Sequence, residues 1–134
     1  MSEERKRFHI LVIDDSLAMR REVQELLERL GYKVAVAIDG AHGLMKLRQG
    51  TFNLVITDWN MPKMNGIKLI EAMRADDRLR KIPIIMLATS DAEELQKAAL
   101  VAGADAFISK NAENTGEQIE QKVAELLERG SQHQ

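Results

Sequence analysis

Five residues of this chain have the types and placement to do chemistry together. Asp14 and Asp15 follow the apolar run "FHILVI", Asp58 follows "NLVIT" with Asn60 two residues on, and Lys110 follows "DAFIS". Three carboxylates gathered at one edge repel, and each would have its pKa raised without compensation. A hard cation and the Lys110 ammonium both relieve that repulsion. Oxygen-only ligands with several free positions suit Mg2+, which keeps its own waters and bridges to phosphate oxygens. A carboxylate beside such an ion can act as a nucleophile towards phosphorus. Lys110 would neutralise charge on the incoming phosphoryl group. Taken singly, each acid reads as a turn residue or helix cap and the lysine as solvated; only the combination points to a site.

The elements that would position these residues alternate. Apolar, β-rich runs at Phe8–Ile13, Lys33–Ile38, Asn53–Thr57, Ile82–Leu87 and Asp105–Ser109 read as strands, with Pro83 tolerable only near the start of its run. Between and after them come helical patterns. Met19, Val23, Leu26, Leu27 and Leu30 lie behind a capping Ser16 and stop at Gly31. A short helix carrying Leu44 and Leu47 starts at Asp39 and ends near Gly50. Ile67, Leu69, Ile70 and Met73 follow "NG", a turn signal in which Asn65 can also cap. Leu95, Ala98, Ala99 and Ala102 stop at Gly103, and Ile119, Val123, Leu126 and Leu127 form the last helix. The expected fold is α/β, a (βα)5 doubly wound parallel five-stranded sheet. The first, third and fourth strands are apolar on both faces, as parallel strands covered by helices must be, and the crossovers are right-handed. In such sheets ligands bind beyond the carboxyl ends of the strands, where all five residues fall.

Composition bounds the rest. The chain has 134 residues, 45% apolar and 30% charged, with a net charge of −2 and no cysteine. One domain is expected over 1–134, with a core at about 8–129 and flexible ends at 1–7 and 130–134. No net positive field recruits nucleic acid or an anionic membrane. No thiolate metal site or disulfide framework can form, and no run is long enough for a membrane span or shaped as a signal peptide. A cytoplasmic location fits. The chain reads as a whole protein, with an excised, tagged domain as the alternative. His9, His42 and His133 are scattered and read as surface or satisfied histidines, the seven methionines as core filler, and the basic residues of the first helix as a solvated face.

"ILVIDDS", "VITDWNMPKMNG" and "AFISK" resemble the receiver domains of two-component response regulators, in the right order and over about residues 8 to 129. The resemblance is to single-domain, CheY-like regulators, and it implies the flavodoxin-like strand order 2-1-3-4-5, carried over from the family. It implies that Asp58 takes a phosphoryl group from a histidine kinase. Asp15 would bind Mg2+ directly, Asp14 mainly through water, and Asn60 through its backbone carbonyl. Lys110 would contact the phosphoryl group and Phe107 would be the aromatic switch residue. Output would pass to a downstream protein through the fourth helix, fifth strand and fifth helix of a monomer, in chemotaxis or motility. Such a protein is a phosphoacceptor that assists its own phosphotransfer and dephosphorylation, not a conventional enzyme.

Two positions depart from the family pattern. A threonine or serine usually ends the fourth strand and bonds the phosphoryl oxygen; counting from Asp58 and from Lys110 lands on Ala88. Thr89 is adjacent, but neighbours on a strand point to opposite faces, so it can substitute only if the chain turns there. The lysine is usually followed by proline, often after a cis bond, whereas here Asn111 follows. A cis bond before a non-proline costs about 2.5–4 kcal/mol, so the loop is expected to be trans with Lys110 displaced, or else strained. The competing reading is therefore an uncoupled receiver, acting as a phosphorylation-insensitive binding module or a phosphate sink. An aspartate-nucleophile phosphatase would need an acid at position 60, and a flavin carrier a hydroxyl- and glycine-rich loop at "DDSLAMRR"; neither fits.

Overall fold

The computed structural model describes residues 2–132; His133 and the last of the tail expected to be flexible lie outside them. A helical turn at Ser2–Arg5 falls in the other stretch expected to be flexible. There Arg5 Nη1 donates to the Leu30 carbonyl at 3.0 Å, and the guanidinium lies 5.3 Å from the centre of the Tyr32 ring.

Five strand–helix units follow: β1 (His9–Ile13), α1 (Leu17–Arg29), β2 (Lys33–Ala37), α2 (Gly40–Gln49), β3 (Leu54–Asp58), α3 (Gly66–Arg74), β4 (Ile84–Ala88), α4 (Glu93–Ala102), β5 (Ala106–Ser109) and α5 (Thr115–Gln132). All pairings are parallel and the order is β2-β1-β3-β4-β5, as expected. The strands' period of two divides the core into layers. Leu11, Ile13, Val55, Ile84 and Met86 pack with buried residues of α2, α3 and α4. Ile10, Val12, Leu54, Ile56, Ile85 and Leu87 pack with Val23 and Leu27 of α1 and Ile119 and Val123 of α5. Every residue of β3 and β4 is buried, whereas the edge strands β2 and β5 are mixed.

All three expected side-chain caps form. Ser16 accepts from Met19 N, Asp39 from His42 N and Asn65 from Lys68 N. The "NG" pair is thus a cap and a first helical residue rather than a hairpin-type turn. Gly66 is required by proximity: a Cβ there would lie 2.4 Å from the Asp58 carbonyl oxygen. Strand limits differ slightly from expectation. β3 starts after Asn53, whose Oδ1 accepts from His9 N at 2.8 Å and so holds the start of β1. Pro83 precedes β4, where only its carbonyl is used, by Val55 N.

At the amino edge of the sheet, Arg74 ties three segments together. Its Nε and Nη2 donate to the Gly103 carbonyl at 3.0 and 2.7 Å, its Nη1 to the carbonyls of Arg80 and Ile82 at 2.7 and 2.8 Å, and Nη2 also meets Asp105 Oδ2 at 3.2 Å. That is one acceptor for each of the five N–H bonds a guanidinium carries.

Candidate functional site

The site lies at the opposite, carboxyl edge, and strand register builds it. Ile13 and Thr57 are partners across β1 and β3, so the next residues, Asp14 and Asp58, stand side by side. Asp14 N continues the ladder to the Ala37 carbonyl and Trp59 N to that of Leu87. Lys110 leaves β5, two strands from β3, and roughly 10 Å of sheet must be crossed to reach Asp58. Its extended side chain does so: Nζ lies 2.7 Å from Asp14 Oδ2 and 3.0 Å from Asp58 Oδ1.

The two oxygens of Asp58 are in different situations. Oδ1 accepts from Lys110 Nζ and, at 2.9 Å, from Trp59 N. Oδ2 accepts nothing from the described residues. No buried side-chain polar atom among those residues lacks a partner, so Oδ2 is reached by solvent. Burial pushes the Asp58 pKa up, the Lys110 hydrogen bond opposes that, and the Asp14 charge adds to it; the net direction is upward. For Lys110, burial acts to lower the pKa, but the bonds to Asp14 and Asp58 outweigh it and the result is raised. The ammonium is therefore firmly charged.

Asp15, unlike Asp14 and Asp58, is exposed, and one carboxylate oxygen from each of the three acids falls within 4.8 Å of the others. With all groups ionised, three carboxylates and Lys110 sum to −2 (−3 + 1), the charge a divalent cation would neutralise. The donor set is all oxygen and hard, which fits Mg2+. Both Asp14 oxygens are engaged, Oδ1 by Ser16 N at 2.9 Å and Oδ2 by Lys110. Asp15 is the freer ligand.

Of the other predicted residues, Asn60, Ala88 and Thr89 gather beside Asp58. Asp58, Asn60, Ala88 and Thr89 line one open cleft with Trp59 and Ser90. Ala88 ends β4 as the counting placed it, and beyond it the strict alternation ceases, so Thr89 also reaches the cleft. Phe107 is half-buried against the α2–α4 layer. The fork posed for the lysine loop is not met: every described peptide bond is trans, yet Lys110 is not displaced. The backbone of the loop is held by Lys110 N on the Ala88 carbonyl at 2.8 Å; Asn111 N donates to Ser109 Oγ at 3.2 Å and Asn111 Nδ2 donates to the Thr89 carbonyl.

One residue read as solvated is not. Arg20 Nη1 donates to the Asp14 carbonyl at 2.8 Å and so braces the acidic loop. Its acceptor is a backbone atom, which residue types do not disclose; the available clue was its place one turn into α1, facing the loop. Of the described histidines, His42 Nδ1 accepts from Ile38 N and His9 packs on Phe52.

Residues 10–124 match the model of the response regulator receiver domain. The chain is 37% identical to the chemotaxis protein CheY of Pseudomonas aeruginosa, over 90% of this chain and 96% of that one. It is 38% identical to CheY-3 of Vibrio cholerae, over 92% and 95%. Among solved structures, CheY4 of Vibrio cholerae superposes with a TM-score of 0.82 at 30% identity, covering 90% of this chain and 98% of that one. A CheY-like receiver protein from Methanospirillum hungatei superposes with a TM-score of 0.85 at 30% identity, covering 95% and 98%. Sequence, fold and the acidic edge agree: this chain belongs to the response regulator receiver domain family, in its CheY-like form.

Proposed function

We propose that this protein is a Mg2+-dependent phosphoacceptor of a two-component pathway, with Asp58 as the acceptor. The observation that carries this is the asymmetry of Asp58, which clusters with Asp14 and Asp15: Oδ1 is held by Lys110 and Trp59 while Oδ2 is open to solvent. Oδ2 attacks the phosphorus of a kinase phosphohistidine; a P–O bond forms, the P–N bond breaks, and the imidazole leaves with the electron pair and takes up a proton. Asp15 and Asp58, with the Asn60 carbonyl, would hold Mg2+ directly and Asp14 through water. The ion would supply positive charge to the phosphoryl oxygens. Lys110 adds a second, fixed positive charge.

Chemotaxis or motility is the pathway favoured by the relatives, and the α4–β5–α5 face is the surface proposed to meet a downstream protein. Leu100 and Val101 are exposed on that face, Val101 at 87%. The protein works as a cytoplasmic monomer and signals by contact, not by turnover. No helix among the described residues is long and apolar enough to cross a membrane.

The test is acetyl phosphate with Mg2+, followed by intact mass. One phosphoryl group should be added to the wild type, and none without Mg2+ or in Asp58→Asn. An unchanged wild-type mass would end this reading. A second reading, phosphorylation without switching, is favoured by one observation: Ala88 fills the position from which a hydroxyl would meet the phosphoryl group. A ligand shifts two states only by its differential affinity for them. If that missing bond matters, Ala88→Thr should enlarge the response at Phe107 without changing the added mass.

A further inference from the structure

The loop after β4 is held by two bonds from within its own region. Ser90 Oγ accepts from Ala92 N at 3.2 Å, and Gln96 Nε2 donates to the Asp91 carbonyl at 2.9 Å. The helix it leads into has no side-chain cap at Ala92. The Thr89 hydroxyl makes no bond among the described residues. A third bond comes from a distant part of the chain: Asn111 Nδ2 donates to the Thr89 carbonyl.

Asn111 directly follows Lys110, and Lys110 N donates to the Ala88 carbonyl at 2.8 Å. The lysine loop and the Ala88–Thr89 segment are therefore joined at consecutive residues, by a backbone bond and by the asparagine amide. At the other end of the lysine, Nζ is committed to Asp14 and Asp58. A cation or phosphoryl group that claims those carboxylate oxygens must change how Lys110 is paired. We propose that Asn111 is a positioning residue that ties the β4–α4 loop to the lysine loop. Occupancy of the acidic site then reaches Thr89 and the start of α4 without a hydroxyl at position 88. Asn111 suits this task because its amide donates to a carbonyl and, being neutral, leaves the charge of the acidic cluster unaltered. This inference rests on the phosphoacceptor reading for its consequence, but the tie itself can be tested with Mg2+ alone.

Amide NMR of the full chain, titrated with Mg2+ and then acetyl phosphate, with intact mass in parallel, tests it. In the wild type, Mg2+ should shift the amides of Asp14, Asp15 and Asp58 and also those of Thr89 to Ala92. In Asn111→Ala the shifts at the three acids, the Mg2+ midpoint and the added phosphoryl mass should persist, while the Thr89–Ala92 shifts are lost. Ser90→Ala, which loosens the same loop from within, should keep the wild-type pattern; this separates a tie from general loosening. Thr89–Ala92 shifts of equal size in Asn111→Ala and wild type would overturn the proposal, as would their absence in the wild type. If the wild type gains no phosphoryl mass, the phosphoacceptor reading fails, and the Mg2+ shifts still decide the tie.

Discussion

Two positively charged side chains sit at opposite ends of this sheet, and their surroundings differ in kind. Arg74, at the amino edge, has an acceptor for every N–H it carries, four of the five bonds ending on backbone carbonyls. Lys110, at the carboxyl edge, shares one ammonium between two carboxylates, with a third acid nearby. The first arrangement is complete and asks for nothing. The second is short of positive charge and leaves an acceptor oxygen open. Sites kept in this state cost stability that a substitution can recover. The contrast therefore predicts which edge holds the fold together and which is held ready for a ligand.

The largest effect should come from Arg74→Met. It removes the donor from the carbonyls of Gly103, Arg80 and Ile82 and leaves Asp105 with only Ile84 N, costing about 4 kcal/mol in urea unfolding. Mg2+ should not restore it. Lys110→Met should cost roughly 3 kcal/mol without metal, because two buried carboxylates lose their counter-charge. Here saturating Mg2+ should recover a large part of the loss. Equal Mg2+ responses in the two variants would dissolve the distinction between the edges.

Asp58→Asn should move stability the other way, upward by on the order of 1 kcal/mol at pH 7. Asp58 has a folded pKa above 3.8, so between that value and its folded pKa the native state binds more protons than the unfolded one. Stability then falls as pH rises through that window, and the penalty is complete above it. In Asp58→Asn this contribution to the pH dependence vanishes. A lower midpoint for Asp58→Asn at pH 7 would contradict the raised pKa. Smallest, and the same at both edges, is the loss of a helix cap: Ser16→Ala and Asn65→Ala should each cost about 1 kcal/mol, read from the urea midpoint.

Much of the fold was legible because its signals are local or periodic. Continuous apolar runs marked β1, β3 and β4 as buried on both faces, and Ser16, Asp39 and Asn65 announced their helices. The acidic edge was legible because chemistry-bearing residues ended successive strands, and register did the rest. What escaped the sequence has side chains bonding to backbone atoms. Arg74 finds carbonyls on two separate loops, Arg20 finds that of Asp14, and Asn111 that of Thr89. Carbonyls carry no residue identity, so no pattern of residue types points to them. Asn111 shows the consequence: judged by what it replaces, it implied a displaced lysine; judged by what it bonds, it joins the lysine loop to Thr89.

The most direct test of the central claim is where a phosphoryl group ends up. After incubation with acetyl phosphate and Mg2+, borohydride reduces an aspartyl phosphate to homoserine and releases phosphate, and peptide mass spectrometry then finds the altered residue. The open Oδ2 predicts homoserine at position 58 alone, absent when Mg2+ is withheld. Homoserine at position 14 or 15 instead, or no homoserine anywhere, would contradict it.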